Sequence, residues 1–205
     1  GTGTLGDMGV HIFDTPYRAL RLTAPSWVQA SCRAPTGVGY PERNRVRYEF
    51  PGTPYTTESL SFDWYDGPNA PPDAKSLALP DGVQLPSQGA LFVGAAGWML
   101  LPHVGEPVLL PEARFADFKP PEMPPADHYH EWVEACLTQS PTSAHFGYAG
   151  PLTEAVLVGV VANRFPEERL RWDAKALRFT DQSDATALLQ KTYRETFEID
   201  NLNPR

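Results

Sequence analysis

The residues best suited to chemistry stand near the start of the chain, in Leu5-Gly6-Asp7-Met8-Gly9-Val10-His11-Ile12-Phe13-Asp14. Asp7 and His11 are four apart, so on a helix they share a face. Asp14 and Arg18 continue that face, while Met8, Ile12 and Tyr17 are expected to turn towards the core. A carboxylate beside an imidazole orients the ring and favours its protonated form, which makes a good proton-transfer pair. The same spacing also describes an ordinary surface pair, so spacing alone leaves both readings open.

The other chemistry-bearing residues are scattered. Besides His11 there are His103, His128, His130 and His145. His128 and His130 are two apart and diverge by roughly 200° on a helix of ~3.6 residues per turn. Neither a His-Glu-x-x-His nor a paired-Cys motif occurs. No metal site is expected; His11 with Asp7 and a distant histidine comes nearest to one. His128 has two readings, contact with a substrate or a capping and solvent-facing place. Cys32 and Cys136 are too few for a disulfide framework and stand in apolar patterns that predict buried free thiols.

The elements that must hold these residues follow from periodicity. The first helix is expected over 8–20, ended by Leu22-Thr23-Ala24-Pro25 because proline turns its predecessor away from helix. A short strand follows over 27–32. Val46, Tyr48 and Phe50 alternate with Arg45, Arg47 and Glu49. Leu60, Phe62 and Trp64 do the same against Ser59, Ser61 and Asp63. Such alternation predicts half-buried strands, wet on one face. Gly94-Ala95-Ala96-Gly97 reads as a hairpin turn between strands at 90–93 and 98–101, with a further short strand over 107–110. Helices are expected over 128–137 with Asp127 as N-cap, over 151–163, and over 184–193 capped by Ser183. In the second of these, Pro151 takes a permitted first-turn place. Strands running together predict an α+β fold, a mostly antiparallel open sheet with helices on one face and the hairpin in the same sheet.

Composition narrows the partners. The 205 residues carry a formal net charge of −8, which argues against nucleic acid. Arg43, Arg45 and Arg47 form a solvated strand stripe instead of a basic patch. No apolar run approaches the ~18 residues that a membrane span needs. The 22 prolines predict long, stiff loops, at 66–88 and 118–125. No export signal is visible, and location is left open.

The string Asp7-Met8-Gly9-Val10-His11, followed by Asp14, resembles the motif that opens the second domain of Gfo/Idh/MocA oxidoreductases. The segment from His128 to Cys136 resembles that domain's helix after the sheet. The segment from Asn163 to Trp172-Asp173, then Leu177-Arg178-Phe179-Thr180 and Tyr193-Arg194, resemble the C-terminal tail of many planctomycete and Bacteroidetes members. The likeness spans nearly the whole chain. It implies that residues 1–205 are a single C-terminal domain for substrate binding and oligomerisation, with a Rossmann domain for NAD or NADP lying outside this chain. It implies His11 as acid/base, Asp7 as relay or substrate contact, Asp14 and His128 as further substrate contacts, and a sugar or cyclitol as substrate. It also implies a homo-oligomer formed through the sheet, whose outer face is expected to be aromatic and apolar.

Two departures bound that reading. Gly1-Thr2-Gly3-Thr4-Leu5-Gly6 follows no strand of this chain, so no cofactor site is expected here, and the chain alone is not expected to turn over. Lys119-Pro120 lies in a late loop, far from where the family's catalytic lysine stands. A stand-alone sugar-binding or oligomerisation module is the alternative. So is half of a redox-dependent glycosidase of the same family, although the Tyr-Pro-Thr-His-like string expected there is not matched.

Overall fold

The computed structural model describes residues 2–191 and 193–197. Helix α1 (Gly3–Ala19) leads into strands β1 (Trp27–Cys32), β2 (Asn44–Pro51) and β3 (Ser59–Asp66). Then come β4 (Gly89–Gly94), β5 (Gly97–Pro102) and β6 (Val108–Leu110), helices α2 (His128–Thr138) and α3 (Phe146–Ala162), β7 (Arg169–Asp173), β8 (Arg178–Phe179) and α4 (Ser183–Ala187).

The fold is α+β. An antiparallel sheet runs in the order β3-β2-β1-β7-β8. The alternation in the sequence sets its faces. Val46, Tyr48 and Phe50 are fully buried, while Arg45, Arg47 and Glu49 are half-exposed. Helices α1 and α3 pack together over the buried face. The outer face differs from the aromatic and apolar surface expected: it carries Gln29, Arg45, Arg47, Asp63 and Arg169, with Trp27 and Tyr65 among them. Arg45 and Arg47 both reach Asp63, at 3.2 and 3.0 Å.

The hairpin does not join this sheet. Strands β4, β5 and β6 form a separate antiparallel sheet. The reason lies in the preceding proline-rich loop, whose Leu79 buries against Leu100 and Leu110, with Leu77, Leu85 and Trp98 packed around them. The loop supplies the hairpin with its own apolar partner. The vacant side of β1 is filled instead by β7, where Leu170 and Trp172 alternate with exposed Arg169 and Arg171 over too short a run to be read from sequence.

Helix boundaries also shift. Helix α1 starts at Gly3, before the expected residue 8. Helix α3 starts at Phe146, so Pro151 sits inside it. Helix α4 ends at Ala187, and its cap is the Gln182 side chain, which accepts from the Asp184 N–H, in place of Ser183. Asp127 caps α2 as expected, accepting from Tyr129 N at 2.9 Å and His130 N at 3.1 Å. The apolar stripe of α2 does not bury: Tyr129, Trp132, Val133 and Leu137 are all exposed. Cys136 is exposed with them, against the expectation of a buried thiol, and Cys32 is half-buried.

Two glycines let the helices approach. A Cβ on Gly9 would come within 2.7 Å of Val156 Cγ1, so α1 lies on α3 only because that position is bare. A Cβ on Gly159 would meet the Tyr48 hydroxyl at 1.8 Å, which fixes the approach of α3 to the sheet.

Candidate functional site

Helix α1 buries Leu5, Gly9, Phe13, Pro16 and Tyr17. Of the three residues expected to turn inwards, Tyr17 does so fully, and Met8 and Ile12 only partly. Phe13 sets the rotation of the helix. Its ring lies 4.3 Å from Phe62, 5.3 Å from Tyr48 and 6.0 Å from Trp64, centre to centre. Burying such a ring stabilises by roughly 1.5–3 kcal/mol, and the surrounding rings hold it in one place. Asp7 and His11 each stand two residues from a buried position, about 200° round the helix. Both are exposed on the side facing away from the sheet.

His11 meets a residue that the sequence did not associate with it. The His103 ring lies edge-on to the His11 ring, with centres 6.0 Å apart at 73°. His103 follows β5 directly, and its backbone N–H donates to Gln88 O at 2.9 Å, which ties it to the start of the hairpin. The small sheet brings it there, since β4 packs beside α1. No short-range signal could have linked the two, because the pairing depends on where the separate hairpin docks.

Asp7 makes no hydrogen bond or ion pair with His11 among the described residues. The two side chains are neighbours at i and i+4, within reach by rotamer change. Asp14 is half-buried at the seam of α1 and α3. There the Tyr148 hydroxyl donates to its Oδ1 and, at 3.1 Å, to its backbone carbonyl. The Arg18 guanidinium covers the Tyr148 ring at 4.0 Å. Burial first, and then the Asp14 carboxylate, push the Tyr148 hydroxyl up to about 12, so it stays a donor. Asp14 is thus drawn into joining two helices.

His128 is exposed at the start of α2, with its ring 4.0 Å from that of Tyr129. It makes no hydrogen bond to α1 among the described residues. The two helices are joined elsewhere. Glu131 accepts from Ser143 N at 2.6 Å and Oγ at 2.7 Å, and Arg18 donates to Ser143 O at 2.7 Å. The Ser143 hydrogen bonds hold the Glu131 carboxyl below its usual range.

The structure therefore places Asp7, His11 and His103 on one exposed surface. It keeps Asp14 in the helix seam and leaves His128 apart. One open cleft of about 670 Å³ lies elsewhere, at the end of β1, β2 and β3, lined by Arg33, Glu42, Arg43, Arg45 and Tyr65 among others. None of the residues expected to do chemistry lines it. Among the described residues, no three His, Cys, Asp or Glu side chains cluster to hold a metal ion, and no helix is long and apolar enough to cross a membrane.

What this arrangement defines is an α+β domain with a helix-borne His and Asp turned away from its core. No protein-family model matches the chain, and no curated protein matches it.

Proposed function

We propose that this chain is the substrate-binding half of an NAD(P)-dependent sugar or cyclitol oxidoreductase of the Gfo/Idh/MocA type. The observation that supports it most is the orientation of α1. Leu5, Gly9 and Phe13 fasten one face into the core, and Asp7 and His11 are left one turn apart on the other. In this reading His11 takes the proton of the reacting hydroxyl through a ring nitrogen, and Asp7 orients the imidazole. Histidine suits the task because its ordinary pKa lies near neutrality.

The larger sheet is antiparallel throughout and offers no parallel strand–turn–helix unit to cradle a pyrophosphate. The reading therefore assigns the cofactor, and with it acceptance of the hydride, to a separate nucleotide-binding half. Self-association through the outer sheet face belongs to the same proposal, built there on charged pairs such as Arg47–Asp63 together with Trp27 and Tyr65.

The test is to supply the protein, expressed from its complete coding sequence, with NAD⁺ or NADP⁺ and a panel of aldoses and cyclitols. Appearance of the reduced nicotinamide with at least one of them is the expected result. No reduction across the panel would overturn the proposal.

A further inference from the structure

We propose that His103 is a second substrate-contacting residue of this site, and that it and His11 bracket adjacent hydroxyls of an uncharged cyclic polyol. The inference rests on the reading of His11 given above and adds to it a residue and a preference for uncharged substrates. Its basis is the placement of His103. The hairpin carries it across the fold to within 6.0 Å of the His11 ring, centre to centre, while both rings stay open to solvent. The His103 backbone is pinned to Gln88, and the strand before it is paired on both sides. It is therefore held at the end of a sheet instead of on a free loop.

The two rings share no hydrogen bond among the described residues. The exposed edges of the two rings lie side by side, so neighbouring hydroxyls laid across them can each take a hydrogen bond of about 2.7–3.2 Å from one ring. A neutral imidazole offers one donor and one acceptor. A hydroxyl likewise donates and accepts, so two imidazoles and two neighbouring hydroxyls can satisfy one another. His103 then holds the hydroxyl next to the reacting one, and the reacting hydroxyl falls to His11. The charge nearby selects against anions. Asp7 lies on the same helix face one turn from His11, and a phosphate or carboxylate on the substrate would be repelled by it.

The experiment is steady-state kinetics of the complete protein with its nicotinamide cofactor, using the best cyclitol or aldose of the panel beside its analogue deoxygenated next to the reacting carbon. His103→Phe keeps a ring against His11 and removes both nitrogens. His103→Gln restores a donor and an acceptor. For the full polyol, His103→Phe should lower kcat/KM by roughly three- to tenfold, the scale of one neutral hydrogen bond. Most of that loss should be in KM, and His103→Gln should recover part of it. For the deoxy analogue the difference between wild type and His103→Phe should vanish. Equal kinetics of wild type and His103→Phe on the full polyol would overturn the inference, as would an equal loss on both substrates; His11 would keep its role in either case. Wild-type protein that oxidises no polyol overturns the underlying reading along with it.

Discussion

Gly9 of α1 lies directly against Val156 of α3, so close that a methyl on Gly9 would stand 2.7 Å from Val156 Cγ1. The glycine at the centre of Asp7-Met8-Gly9-Val10-His11 is thus a packing residue, and the two ionisable groups flank it on the opposite side. Gly9→Ala gains roughly 0.8–1 kcal/mol of helix propensity but overpacks a tight contact, at a usual cost of about 1–3 kcal/mol. The branched Val156 has no far end to swing away, so the cost should win. A lower melting temperature is expected, with Gly9→Ala/Val156→Ala more stable than the two single losses added together. A Gly9→Ala protein as stable as wild type would contradict this packing.

Asp66 gives stability a pH dependence. It is 9 % exposed at the end of β3, where it accepts from Trp64 Nε1 and from Asn44 Nδ2. Burial raises its pKa despite those bonds. A carboxyl raised in the folded state binds more protons folded than unfolded, so its contribution falls as pH rises through that interval. The window opens near pH ~4, the ordinary aspartate value, and extends upwards. Asp66→Asn keeps an acceptor and cannot ionise. Melting temperatures across this range should decline less with pH in Asp66→Asn than in wild type. Parallel profiles would show that Asp66 does not carry the effect.

The two thiols should separate by rate. Cys136 is exposed on α2, whereas Cys32 is half-buried and burial raises its pKa, which lowers its thiolate fraction. Native protein treated with a chromogenic disulfide reagent should show one fast and one slow thiol, and Cys136→Ser should remove the fast phase. Two thiols reacting at one rate would contradict the burial described.

The legibility of this fold in its sequence follows the range of each interaction. Arg45 to Phe50 alternates so cleanly that the strand and its buried face are both readable, whereas its register with β1 and β3 is set by those strands. The Asp127 cap is likewise set by residues two and three places away. What could not be read depended on distant partners. The hairpin at Gly94–Gly97 was plain, but its separation into a second sheet follows from Leu79 docking on Leu100 and Leu110. The α2 stripe of Tyr129, Trp132 and Leu137 has helical spacing and yet stays exposed, because spacing records amphipathy and not what covers it. At the site, the Asp7–His11 face was legible from α1 alone. His103 and the bond from Tyr148 to Asp14 were not, since each joins segments far apart in sequence.

In the proposed reaction His11 is the proton-transferring group. Its most direct test is the turnover of His11→Asn in the complete protein, beside a thermal melt. The ring is exposed and faces away from the core, so the melt should stay close to wild type. Loss of a general base should lower kcat by roughly 10²–10⁴-fold. A well-folded His11→Asn protein that turns over near the wild-type rate would contradict the account and leave His11 as an ordinary surface residue of α1.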